Sequence, residues 1–179
     1  MKHKFVTLAT VAALAVGMAG LESIPAGAAA PSQSCSKVSG TLTMKPGLGP
    51  AAADQTVTIT GAESGCKVAS KTGGGGTFKS VLKLKKASCA TLVKGGTTFS
   101  GSATTTWKNK KTTKYGVTYK DGKGSAVATI TMTGKATTGL FAGKKFSGGF
   151  TITVPSNVNC TSVKFTKATF KQSKAWTIS

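Results

Sequence analysis

The sequence predicts an all-β domain, either one antiparallel β-sandwich or a small β-barrel of about 8–10 strands, stapled by disulfides. Three observations carry this. Apolar residues alternate with Thr, Ser and Lys at period 2 from Val38 to the end. The alternating runs are broken by Gly, Pro, Asn and Asp, and no segment after the N-terminal stretch keeps a 3.6-residue period. Four cysteines, Cys35, Cys66, Cys89 and Cys160, are spread along these runs.

The chain opens with a positive Lys2-His3-Lys4, an apolar run from Phe5 to Leu21, and the small residues of Ala26–Ala30. That is the pattern of a secretory signal peptide, assigned to 1–29, with cleavage expected near Ala28 to Ala30. Residues 30–179 then form one exported domain, large enough for its own core. No second apolar stretch approaches a spanning length, so the mature chain is expected to be soluble, without a membrane span.

In "VSGTLTM", Val38, Leu42 and Met44 share one face, and Ser39, Thr41 and Thr43 the other. "TVTIT" sets Val57 and Ile59 against threonines. "FKSVLKLK" sets Phe78, Leu82 and Leu84 against Lys79, Lys83 and Lys85. "TTTWK" ends a strand at Trp107, whose parity includes Phe99 and Ala103. "YGVTY" places Tyr115, Val117 and Tyr119 opposite Lys114, Thr118 and Lys120, and "AVATITM" and "FTITV" continue the rhythm. Threonine suits such surfaces because its branched Cβ packs on the pleat. In "VKFTKATF" the phase slips between Phe165 and Phe170, which predicts a bulge near Thr166 to Ala168. "KPGLGPAAAD" and "GGGG" read as turns, and Asp121-Gly122 as a hairpin tip.

An even cysteine count in an exported domain predicts two disulfides with three possible connectivities. If the first two strands fold back around a loop centred near Pro50, facing residues have numbers summing to about 101, as Cys35 and Cys66 do. Cys35–Cys66 is therefore expected, leaving Cys89 with Cys160. No pair has C-x-x-C spacing and the only histidine, His3, leaves with the leader, so no metal or cofactor is expected.

Catalytic chemistry finds little to work with. Without a mature histidine, Ser-His and Cys-His arrangements are closed. The mature acids are Asp54, Glu63 and Asp121; a carboxylate-dependent hydrolase would have to use two of them. Asp54 and Glu63 bracket the second strand, at opposite ends. "SVLK" matches S-x-x-K, but that chemistry needs Ser80 and Lys83 on one helical face, and a strand points them apart. The "KTG" at 71–73 precedes that serine instead of following it. "KTGGGGT" and "GLFAGKK" lack the P-loop spacing and read as a turn and a glycine-kinked strand. No catalytic residue is expected.

The full chain carries 24 basic residues, all lysine, against four acidic ones, a net charge of +20. Loss of Lys2, Lys4 and Glu22 with the leader leaves +19. Such a charge attracts polyanions without a specific site. Lysine is a point charge that lacks the bidentate fork of arginine, so selective recognition of nucleic acid is not expected. The densest stretch, 104–124, offers Lys108, Lys110, Lys111, Lys114, Lys120 and Lys123 as possible polyanion contacts. Its tyrosines alternate with these lysines and so face away from them, as core residues would.

The cysteine contexts "SCSKVSGTLT", "SGCK", "SCATL" and "NCTS", the "TTTWK" strand end and "TTGLFAGKKFSGGFTITV" resemble a group of exported actinobacterial four-cysteine β-sandwich proteins of unknown function. The resemblance implies a disulfide-linked β fold and export, and no functional residues.

The expectation is a non-enzymatic, cationic module, secreted or wall-associated, that contacts anionic cell-wall polymers or acidic polysaccharide. One alternative is a protein-binding module, such as a protease inhibitor, acting through "KTGGGG" or "KNKK". The other is the carboxylate-dependent hydrolase.

Overall fold

The computed structural model describes residues 32–68, 74–122, 127–153 and 164–179. Eight strands run in chain order around a closed antiparallel barrel: β1 (Gln33–Leu48), β2 (Ala53–Val68), β3 (Gly76–Ala87), β4 (Thr98–Trp107), β5 (Thr112–Asp121), β6 (Val127–Gly139), β7 (Lys145–Thr153) and β8 (Phe165–Ile178). Each strand pairs with its sequence neighbours, and β8 closes the ring on β1. Closure removes the sheet edges that would otherwise invite association.

An eight-stranded barrel is just wide enough for side chains to fill it, and alternation supplies them. Val38, Leu42, Met44, Val57, Ile59, Phe78 and Leu82 turn inward, and so do Tyr115, Val117 and Tyr119. Aromatic rings form a chain across the interior. Tyr115 meets Phe146 at 5.2 Å between centroids, Phe146 meets Trp176 at 4.9 Å, and Trp176 meets Phe78 at 5.0 Å. Phe78 continues to Phe170 at 5.9 Å, and Phe170 to Phe150 at 4.9 Å. The cross-strand pair Gly40 and Gly61 makes room: a Cβ on Gly61 would lie 2.5 Å from the Phe78 ring and 2.9 Å from that of Phe170.

Along β1 and β2 every pair from Gln33–Val68 to Lys45–Thr56 obeys the expected sum, and Cys35 faces Cys66 in a disulfide. Cys89 is disulfide-bonded too; its expected partner, Cys160, lies outside the described residues. The expected slip in β8 is present. Thr43 pairs with Lys167 but Leu48 with Phe165, and Thr166 and Lys167 are both exposed. The extra residues of this irregularity belong to β1, around the cis Lys45–Pro46 bond.

Three expectations need correction. Cys89–Lys94 forms a one-turn helix, α1, although no helical period marks it. Ser88 and Thr91 cap it reciprocally: Thr91 N–H donates to Ser88 Oγ (3.3 Å) and Ser88 N–H to Thr91 Oγ1 (2.9 Å). Six residues are too few for periodicity to register. "GLFAGKK" is a turn between β6 and β7 and not a kinked strand. Gly139 and Gly143 have φ of 91° and 83°, and Phe141 tucks into the core against Trp107 at 5.2 Å. Asp121 is not a hairpin tip but the last residue of β5, and its side chain is buried.

The two ends of the barrel differ. One holds the Cys35–Cys66 disulfide, the β4–β5 turn and the end of β8. The other holds the β1–β2 turn, α1, whose Cys89 N–H donates to Gly49 O (2.9 Å), and the end of β5. Among the described residues Val81 is the one large hydrophobic side chain that is exposed, at 40%. The outer face is instead threonine and lysine, the inverse of the apolar band on a lipid-facing barrel. No helix among the described residues is long and apolar enough to cross a membrane.

Candidate functional site

Strand parity sends the lysines outward. Every described lysine is exposed except Lys144, which is half-buried. The six candidate lysines do not form one patch. Lys108, Lys110 and Lys111 occupy the β4–β5 turn at the disulfide end. This turn is held by Lys108 N–H donating to Gly75 O (3.0 Å), Lys110 N–H to Trp107 O (2.9 Å) and Lys111 N–H to Asn109 Oδ1 (3.1 Å). Lys110 sits at φ 66°, in the left-handed region a turn tip requires. Lys114 stands outward nearby, beside Thr104, which pairs on its other side with Lys79. Lys120 is six residues further along β5, roughly 20 Å away, between Thr98 and Thr131. Lys123 lies outside the described residues. The turn lysines with Lys114 and Lys79 are therefore the cluster. The register relation 79–104–114 that recruits Lys79 follows from pairing across three strands, which alternation alone does not specify.

The acids are sorted oppositely. Asp54 is exposed and accepts from Lys86 N–H (3.0 Å) and Lys85 Nζ (3.2 Å), which hold its carboxyl below the usual range. Glu63 and Asp121 point into the barrel, 3% and 4% exposed. The signal was in the sequence: Glu63 shares the parity of Val57 and Ile59, and Asp121 that of Val117 and Tyr119.

Glu63 sits at the disulfide end within a small polar cluster. Thr105 Oγ1 donates to its Oε1 at 3.2 Å, and its Oε2 lies 3.8 Å from Cys35 Sγ. Gln33 Nε2 donates to the same sulfur at 3.2 Å. Burial pushes the Glu63 carboxyl up to about 7, against the opposing pull of the Thr105 hydroxyl. Tyr115 OH has no hydrogen-bond partner within bonding geometry among the described residues, and burial, reinforced by the Glu63 charge, raises its phenol against the opposing pull of the nearby Thr105 and Thr113 hydroxyls. Trp107 Nε1 donates to Thr113 Oγ1 at 2.8 Å, which closes this layer. Tyr119 OH donates to Ser80 Oγ (2.7 Å), which in turn donates to Ser102 O (2.8 Å), and burial pushes Tyr119 up to about 12.

At the far end neither carboxylate oxygen of Asp121 has a hydrogen-bond partner among the described residues, and burial raises its carboxyl. Glu63 acts on Tyr115, and Asp121 is six residues along β5 from that tyrosine, roughly 20 Å. A glycosidase pair spans about 5–9.5 Å, so the two inner acids do not form one, and Asp54 lies on the outer face. Cys35, Glu63 and Cys66 bring donor atoms within 4.8 Å of one another. Both sulfurs are bonded to each other, however, which leaves one carboxylate as a ligand, too few to hold an ion. Of the proposed binding segments, "KNKK" is the exposed β4–β5 turn, while 71–73 of "KTGGGG" lie outside the described residues.

Set against protein-family models, curated proteins and solved structures, the chain matches none of them.

Proposed function

We propose that this is an exported, non-enzymatic binding module whose lysine face contacts anionic polymers of the cell envelope, such as phosphate-bearing wall polymer or acidic polysaccharide. One observation carries the reading: the barrel buries Glu63 and Asp121 and leaves Asp54 as the exposed acidic side chain among the described residues, against lysines on all sides. A surface made only for solubility mixes both signs. Here the outer face is positive with almost nothing to balance it, and Lys79, Lys108, Lys110, Lys111 and Lys114 gather towards the disulfide end. The leader and the disulfide suit an extracellular setting.

Lysine point charges on a rigid barrel bind by releasing counterions, so affinity is weakly selective and strongly salt-dependent. Co-sedimentation of the mature protein with purified wall, with and without its anionic polymers, tests this across salt. With six or more charges engaged, affinity falls by about 10³ or more between 50 and 200 mM salt. Replacing Lys108, Lys110, Lys111 and Lys114 by glutamine flattens the salt slope by about 0.7–0.9 for each engaged lysine so neutralised, while Lys120→Gln alters it less. Absent or salt-independent binding at low salt overturns the reading.

A further inference from the structure

The Cys35–Cys66 disulfide does not sit in an inert setting. Its two sulfurs differ: Cys35 is 0% exposed and Cys66 is partly exposed. A carboxyl oxygen of Glu63 lies 3.8 Å from the buried sulfur, and an amide N–H of Gln33 points at the same atom from 3.2 Å. A disulfide sulfur has no hydrogen to give, so a proton between Glu63 and Cys35 belongs to the carboxyl. Among the described residues, a position without a side chain, Gly75, lies beside the outer sulfur. Gly75 runs past Cys66 with φ 92°, and a Cβ there would sit 3.6 Å from its Sγ. An open depression of about 440 Å³ at this end is lined by Gln33, Ser34, Lys67 and Ile178, the chain neighbours of the two cysteines and the end of β8, and not by the sulfurs themselves.

We propose that Cys35–Cys66 is a stoichiometric thiol–disulfide exchange site, spent in one reaction and not turning over: an external thiol enters at Cys66, and Glu63 delivers a proton to the departing Cys35 sulfur.

The substrate class is a small dithiol. Its thiolate attacks Cys66 Sγ, forming a mixed disulfide and breaking the S–S bond. Cys35 leaves with the electron pair, stabilised by the Gln33 N–H, and takes the proton from Glu63, which becomes a carboxylate and regains a proton from water. The second thiolate of the substrate then attacks its own sulfur in the mixed disulfide. Cys66 is released and protonated from solvent, the dithiol is oxidised by two electrons to a cyclic disulfide, and the protein is reduced to two thiols. Run backward, Glu63 carboxylate accepts the Cys35 proton and prepares that thiol to attack.

A carboxyl poised near neutrality can serve in both directions, and burial has brought Glu63 there. The groups facing it are Cys35 from β1, Thr105 from β4 and Tyr115 from β5. Tyr115 is the titratable one, and it stays protonated because burial and the Glu63 charge raise it. Lys37 and Lys67, near the disulfide on β1 and β2, are exposed on the outside.

Two measurements on the oxidised mature protein test the proposal. In the first, glutathione is added, the mixture is acid-quenched, and peptide mass mapping locates the mixed disulfide. The expected site is Cys66; an adduct on Cys35 overturns the proposal. In the second, reduction of this disulfide by dithiothreitol is followed from pH 5.5 to 8.5, with each rate divided by the concentration of dithiothreitol thiolate. For the parent protein this normalised rate is expected to be at least about tenfold higher at pH 5.5 than at pH 8.5, as general-acid help predicts. For Glu63→Gln it stays flat within about twofold. A flat parent profile overturns the proposal, as does a variant that keeps the parent slope. The mapping and the parent profile need no variant, so the test holds even if Glu63→Gln folds poorly.

Discussion

Asp54 and Glu63 are nine residues apart on one strand, and the barrel treats them in opposite ways. Asp54 points into water, takes hydrogen bonds from Lys86 N–H and Lys85 Nζ, and is held below the usual carboxyl range. Glu63 points into the core, has a hydroxyl and a sulfur for company, and is raised to about 7. The two side chains differ by one methylene. Strand parity alone decides which becomes a solvated anion and which a mostly neutral acid near pH 6. The same parity explains why a chain with so many lysines shows so little negative charge outside: two of the three acids among the described residues fall on the inner face.

The sharpest way to break this division is to substitute neighbours on opposite faces. Phe170 is 1% exposed and touches the rings of Phe78 and Phe150, while Lys171 beside it points to solvent. Phe170→Ala should destabilise by about 3–5 kcal/mol, the cost of lost apolar burial plus an unfilled cavity. Lys171→Gln should stay within about 0.5 kcal/mol. Urea unfolding with a common slope compares them. Equal losses would mean that the two faces are not energetically distinct.

The next effect is on the pH dependence of stability. In the unfolded chain Glu63 ionises near 4.5; in the barrel it ionises near 7. Between those values the folded state keeps a proton that the unfolded state has released, so stability falls as pH rises. The contribution is complete below about pH 4.5 and gone above about pH 7, a change on the order of 3 kcal/mol. Asp121, also raised by burial, adds a slope of the same sign. Glu63→Gln should remove the Glu63 share, making the variant more stable than its parent at pH 8 and nearly equal to it at pH 4. Parallel stability curves for the two proteins would show that the carboxyl does not titrate inside the barrel.

Where alternation was strict, the fold could be read directly. The inward faces of β1, β2, β3 and β5, the register that joins Cys35 to Cys66, and the break near Thr166 all follow from period 2 and one loop. Closure did not, because pairing β8 with β1 is a long-range choice that a sandwich and a barrel make from the same local pattern. Helix α1 escaped because a Ser88–Thr91 cap is a local hydrogen-bond device with no periodic trace. The lysine cluster was half legible. Lys108 to Lys114 are close in sequence, but Lys79 joins and Lys120 departs only once the strands are paired and their length is known. Parity already implied that Glu63 was buried; its closeness to Cys35 required the first hairpin register as well.

The smallest expected effect returns to the exposed acid. Asp54 is 62% exposed, and its partner Lys85 84%. Such a pair is screened by salt and loses in side-chain entropy much of what it gains in attraction. Its lowered carboxyl pKa gives a contribution present above the unfolded value and lost as pH falls through the folded one, opposite in sign to that of Glu63. Asp54→Asn keeps an oxygen that can accept from Lys86 N–H and removes only the charge. Thermal unfolding at pH 7 should therefore coincide with the parent in 500 mM salt and differ at most marginally in 10 mM. A clear loss that persists in high salt would mean that this carboxylate is held by geometry and not by charge, and that the outer face of the barrel is more tightly built than its exposure implies.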